Sequence, residues 1–331
     1  MDHQPGKSSF FWPVILVGAG VILLLKNFGV LQDFNFHILF RLWPLILVVI
    51  GLDLIFGRRF PWVGAAIGVL VVGTVIAYLF FAPSLGINQS AGIRTEVLAE
   101  PLGNTVSVEY RLDTMAEPVF ISALPDETNL FKATIVHRGY VDYYVSGAAE
   151  KTVTLGQTIT SEDWFTIVPG LLNLKWDIGL SPAVPVVVNL DGGSGALRVN
   201  LEGLMLEALR AELGSGASDF TLPQSATPYT VEINSGSGAV NLSLADETGV
   251  TLTLSSSSGA ITMRVPQNAA LKVEVLDDGS GSVLLPANLD LLQGSGKFEN
   301  DTWQSAGFDD AEVQIIIRIA DRGSGSITIH R

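Results

Sequence analysis

The chain has 331 residues, no cysteine and a net charge of −14, with 48% hydrophobic and only 16% charged residues. That balance excludes a disordered polar chain, and the missing cysteines exclude a disulfide framework, thiolate metal ligation, iron–sulfur centres and a cysteine nucleophile. Residues 1–89 hold five Lys/Arg against three acids, which leaves 14 basic and 30 acidic residues in 90–331. The larger part therefore lacks the clustered cations that a nucleic-acid partner requires.

Three apolar stretches open the chain. Ser8–Leu25 runs 18 residues without a charge, Leu42–Leu52 is an 11-residue uncharged core between Arg41 and Asp53, and Phe60–Ala82 is 23 residues with no charge. At 1.5 Å per residue the third reaches roughly 34 Å, enough for a bilayer. The reading is a bundle of three transmembrane helices over residues 1–82, spanning about 10–31, 38–57 and 60–82, and hence a multi-pass protein whose first partner is the lipid bilayer. No small-residue cleavage site follows the first stretch, so it is not read as a removable leader.

The first two spans repeat. At an offset of 31, Trp12/Trp43, Pro13/Pro44, Ile15/Ile46, Leu16/Leu47, Val17/Val48 and Gly20/Gly51 are identical. Trp suits the headgroup level, Pro suits a first helical turn whose N–H groups have no partner, and Gly lets helices approach. Gly64 and Gly68 in the third span fit packing within the bundle or a dimer face. Arg41 and Asp53 lie near span ends, where they can snorkel, and no partner pattern marks an ion path. Lys7, Arg58 and Arg59 on one side outweigh Lys26 and Arg41 on the other. The positive-inside rule then puts the N-terminus in the cytoplasm and everything after the third span outside.

Residues 83–99 read as a linker, and from residue 100 the pattern becomes alternation. Val106, Val108, Tyr110 and Leu112 alternate with polar residues, as do Leu172–Leu180 and Val184–Leu190. Period two marks half-buried β-strands, giving an N-terminal β region over 100–183. In 184–331 a longer period emerges: Ser-Gly turns end at Gly195, Gly216, Gly238, Gly259, Gly281 and Gly325, with gaps of 21, 22, 21, 22 and 44. Leu209, Val231, Leu252 and Val273 hold one column, and Val199, Phe220, Leu242, Met263 and Leu285 another. A fixed period with stacked side chains predicts an all-β solenoid of 21–22-residue coils, with glycine at corners such as Gly238 because it can take the positive φ that a sharp corner demands. The doubled gap predicts one distorted coil or an insertion near residue 303. Leu204–Leu213 has helix propensity, but the register places Leu209, Ala211 and Leu213 on the inner face of a strand.

Chemistry is hard to find in this pattern. Gly294-Ser295-Gly296-Lys297 lacks a phosphate-loop frame, and no stretch gives G-x-G-x-x-G between strand and helix. Asp191–Gly195 begins like a calcium nonapeptide but has Leu197 where Asp is needed. His3, His37, His137 and His330 show no ligand spacing. The acidic pairs Asp126-Glu127, Glu162-Asp163, Asp246-Glu247, Asp277-Asp278 and Asp309-Asp310 read first as solvated turns, with weak divalent-cation binding along one edge as the alternative. Trp164-Phe165 and Trp303 are candidates for recognition or for capping the stack. No catalytic, cofactor or metal site is assigned, and the protein reads as no enzyme.

The W-P-x-I-L-V-x-x-G pair resembles the membrane region of LiaF-type proteins, the bacterial cell-wall-antibiotic response family. The remainder is similar to the toast-rack β-domain attached to it, through Leu174-Lys175-Trp176-Asp177-Ile178, the Gly-Ser repeats, Trp303-Gln304-Ser305 and Gly323–Ile327. The resemblance implies a membrane-anchored, non-enzymatic sensor or regulator of envelope stress acting beside a sensor histidine kinase or another membrane protein. A membrane-anchored structural or adhesive module, assembling as a homo-oligomer or binding a surface ligand, is the alternative.

Overall fold

The computed structural model describes residues 93–158, 174–225, 227–276 and 279–331, together with Val17, Val69, Leu70 and Gly73, which are helical. Apart from these four residues, the three expected spans and the tryptophan repeat, with Arg41, Asp53, Arg58, Arg59, Gly64 and Gly68, lie outside the described residues. Among those described, no helix is long and apolar enough to cross a membrane.

The β unit takes in Ile93–Ile159 and Gly170–Arg331. Two sheets pack face to face, ten-stranded sheet A and eleven-stranded sheet B. Each coil runs out along sheet B, turns a corner and returns along sheet A. Four coils follow in chain order: β8 (Pro185–Gly192) with β9 (Leu197–Asn200), β10 (Met205–Leu213) with β11 (Ser218–Leu222), β12 (Tyr229–Ser235) with β13 (Val240–Leu244), and β14 (Val250–Ser256) with β15 (Ala260–Arg264). Successive coils pair parallel and in register. The alternation is confirmed throughout: Val231, Ile233, Leu252 and Leu254 are buried while Thr230, Glu232, Thr251 and Thr253 face out. Within Leu204–Leu213, Met205–Leu213 is a strand, with Leu209, Ala211 and Leu213 inside as expected. A bulge between Leu206 and Ala208 absorbs the one-residue break in its alternation.

Both ends of the stack depart from chain order. The last coil in sequence, β20 (Gln314–Asp321) with β21 (Ser326–His330), does not sit at the end. It inserts between the β14–β15 coil and the coil of β16 (Ala270–Val275) and β17 (Ser282–Leu284). Leu252 faces Ile317, which faces Val273, and Ile261 faces Ile327, which faces Val283. The doubled gap is therefore no distorted coil. Residues between Gly281 and Gly325 form a terminal hairpin, β18 (Leu289–Gln293) with β19 (Asp301–Ser305), and then the chain returns to fill a vacant level.

The other end mirrors this. The coil of β2 (Ser107–Thr114) and β3 (Val119–Ala123) lies between the β8–β9 coil and the coil of β6 (Glu150–Thr158) and β7 (Lys175–Leu180). Antiparallel strands close it: β1 (Arg94–Pro101) and β4 (Asn129–His137) in sheet A, and β5 (Tyr140–Ser146) in sheet B. Two expected boundaries move accordingly. Strand β1 begins at Arg94, inside the stretch read as linker, and the stack crosses residue 184 without a break, its single core running from Val108 to Ile329. Tyr110 and Trp176, both fully buried, anchor that end. The Tyr110 hydroxyl donates to the Leu130 carbonyl at 2.6 Å and accepts from the Ser181 N–H at 3.3 Å, and burial raises its pKa well above the usual phenol value.

Candidate functional site

The Ser-Gly corners are where the repeat is most exacting. The Gly214 N–H donates to the Gly192 carbonyl at 2.6 Å and the Ser237 N–H to the Gly214 carbonyl at 3.2 Å. The corners are thus a ladder of their own, and a Cβ on Gly216, Gly238 or Gly325 would overlap the carbonyl oxygen of the corner below. Gly238 itself has no positive φ, so the expected reason for that glycine is corrected: it is close approach, not left-handed backbone.

The turns on the opposite side form a cleft of about 580 Å3. It exists because the link from β15 to β16 steps over the level that β20 occupies, which parts Asp246–Thr248 from Pro266–Ala270 and leaves Val313 and Ile315 as floor. Glu247 holds a left-handed φ of 53°, and its Oε2 accepts from Gln224 Nε2 at 3.3 Å. Carboxylates and the amides of Gln267 and Asn268 thus ring an apolar floor. These groups can hydrogen-bond a polar ligand or hold a cation, and they offer no nucleophile with an adjacent base.

Other acidic residues behave as turn formers. Asp126 Oδ1 accepts from the Thr128 hydroxyl, the Thr128 N–H and Asn129, and these bonds, the hydroxyl's foremost, hold its pKa below the usual carboxylate value. Asp113, Asp191 and Glu212 stand in register on three adjacent strands. Burial, then repulsion from Asp191, raises the Asp113 pKa. Among the described residues no group of three or more His, Asp or Glu is arranged to hold a metal ion. Glu162-Asp163, Trp164-Phe165, Asp277-Asp278, His3 and His37 lie outside the described residues. His137 is fully buried, its Nε2 3.2 Å from Glu96 Oε1, while His330 ends β21 at the surface.

The Gly294–Lys297 stretch does cradle an anion, one of its own. Asp301 is 1% exposed. Its Oδ1 accepts from the Ser295 N–H at 2.7 Å and its Oδ2 from the Phe298 N–H at 2.6 Å. Burial pushes its pKa up, but the backbone N–H groups of Ser295, Phe298, Gly296 and Glu299 outweigh that and leave it lowered. Left-handed Gly294, Gly296, Phe298 and Asn300 wrap the loop around the carboxylate, and sequence reasoning missed this because the acceptor lies one residue beyond the loop. Trp303 stacks on Phe298 at 5.6 Å in the terminal hairpin, a capping position. A lowered folded pKa means that Asp301 contributes stability above its unfolded pKa and loses it as pH falls through the folded value. We therefore expect Asp301→Ala to lower the melting temperature by several degrees at pH 7 and to flatten the stability profile below about pH 4, read by thermal melts across pH.

Residues 10–55 match the LiaI-LiaF-like transmembrane region, and residues 126–243, from just before β4 to β13, match the N-terminal domain of toast_rack. No curated protein matches the sequence. Two crystal structures are similar to the chain: a candidate cell adhesion protein from Clostridium sporogenes ATCC 15579, at 13% identity over 72% of this chain and 98% of that one with a TM-score of 0.46, and a candidate adhesin from Bacteroides fragilis NCTC 9343, at 12% identity over 72% and 97% with a TM-score of 0.27. The chain thus joins a segment similar to the LiaI-LiaF-like transmembrane region to a β stack whose residues 126–243 match the N-terminal domain of toast_rack.

Proposed function

We propose that the protein is a membrane-anchored, non-enzymatic regulator of cell-envelope stress that acts by contact with a membrane signalling partner, a sensor histidine kinase being the class that fits. The observation that supports this is the joining, in one chain, of a LiaI-LiaF-like transmembrane region to a toast-rack stack whose coils are cross-braced at both ends. Every coil strand except β17 is hydrogen-bonded on both sides, so the stack moves as a unit and a load or ligand on its surface is shared among its coils. Deleting the gene should change the response of a cell-wall-antibiotic reporter, and restoring only residues 1–92 should not rescue it. An unchanged reporter in the deletion strain would overturn the reading.

The topology we propose has three spans with the toast-rack domain outside the cytoplasm, held by Arg58 and Arg59 in the second loop. Alkaline phosphatase fused after Arg331 should then be active and green fluorescent protein at the same site dark. The reverse pattern defeats the assignment. Replacing Arg58 and Arg59 with acidic residues should weaken or invert the orientation, since few other charges oppose it.

A further inference from the structure

The two sheets do not end together. Beyond the β16–β17 coil, sheet B continues for two more strands, β19 and β18, while sheet A stops at β17. The end of the stack is therefore a step. On its lower tread the inner face of the hairpin has no strand opposite it: Leu291, in register with Trp303 and so on the same face, is still 40% exposed, and the cover on this face is the hairpin's own loop, with Phe298 stacked on Trp303 and Gly296 beside Leu291. Leu276, Leu284 and Leu292 add exposures of 54%, 59% and 64%, and β17 and β18 each present an unpaired edge. A solenoid end of this kind needs a polar cap or a partner. The opposite end has its own antiparallel closure, and β1, the strand nearest the membrane region in sequence, sits at that far edge of sheet A.

The step is complementary to itself. A two-fold axis along the strand direction, midway between the sheets, reverses the stack and exchanges its layers, so the long sheet of one copy continues the short sheet of the other. Each composite layer then gains two strands from one copy and none from its partner, and the two layers come out equal. Strand direction agrees as well. Strand β18 runs with β16, because two antiparallel pairings separate them. Sheet A strands return against sheet B strands, so β18 of one copy meets β17 of the other antiparallel, the favoured ladder. We propose that a second copy of this chain occupies the β17–β18 end, making an isologous two-fold dimer of toast-rack domains. The contact is short, three residues of β17 and five of β18, and suits association between molecules already concentrated in one membrane.

The absence of native cysteine supplies the test. Leu284 lies on β17, the edge strand of sheet A, and Leu292 at the bulge of β18 in sheet B, two strands further out, so the roughly 10 Å between packed sheets already keeps them too far apart for a disulfide within a chain. In the dimer, the strand that carries Leu284 adjoins the strand that carries Leu292 in the other copy. The full-length Leu284→Cys/Leu292→Cys variant, oxidised in native membranes, should run as a covalent dimer, whereas Val97→Cys and Met205→Cys should stay monomeric. In detergent, Leu292→Lys should weaken self-association at least tenfold by sedimentation, and mixing it with Leu284→Glu should restore a mixed dimer. Monomer at every concentration, crosslinking as efficient at Val97, crosslinks to a different protein, or a dimer indifferent to Leu292→Lys would each overturn the proposal. The last outcome would place association in the membrane region instead.

Discussion

Gly238→Val is expected to cost about 3 kcal/mol or more, roughly a 10 °C fall in melting temperature for a domain of this size. The new Cβ would overlap the carbonyl oxygen of Gly216, and the corner cannot retreat, because the Gly238 N–H already donates to the Gly214 carbonyl at 3.3 Å and Gly259 packs in turn on Gly238. Moving one corner therefore strains its neighbours on both sides and sacrifices backbone hydrogen bonds in a buried ladder. Gly203→Ala is the informative contrast. Gly203 has a φ of 80° with open space around its missing Cβ, so that variant carries only the cost of left-handed backbone, about 1 kcal/mol. Thermal melts should separate the two by several degrees, and equal shifts would show that backbone conformation, not close approach, governs the corners.

The sequence makes the coils between Pro185 and Arg264 legible because there the corners recur every 21 or 22 residues, so columns such as Leu209, Val231 and Leu252 align by counting. Counting fails where space and chain order part company. Ile317 fills the place between Leu252 and Val273, whereas counting two periods on from Val273 puts it in the same column but beyond Val273, and the Trp303 hairpin mimics an irregular coil because its alternation resembles one. The same effect hides the first coils. Between β3 and β6 the chain detours through β4 and β5, which breaks the period, and the corner Met115–Pro118 has no glycine to mark it, although Gly193 and Gly195 pack directly on the Met115 and Glu117 carbonyls. The cleft by Asp246 and Glu247 was illegible for a related reason. Its opening depends on the β15–β16 link crossing an extra level, a consequence of the inserted coil, whereas the acidic pair alone looks like any solvated turn.

Removing residues 314–331 is expected to abolish cooperative folding of the toast-rack domain. The loss is not that of a terminal strand peeled from an edge: β20 pairs with β14 on one side and β16 on the other, and β21 with β15 and β17. Ile315, Ile317, Ile319, Ile327 and Ile329 are all buried. At about 1.5–3 kcal/mol apiece they account for something of the order of 10 kcal/mol, as large as the whole stability of a typical domain. What remains cannot simply close up, since the link from β15 to β16 would hold the β16–β17 coil one level away from β15, over an apolar slot with unpaired edges on both faces. Circular dichroism and a denaturant melt of the truncated chain should show a lost or markedly broadened transition. A sharp transition near the wild-type midpoint would mean that the stack closes without its last coil, and that the insertion is an accessory rather than the wedge that locks the C-terminal end.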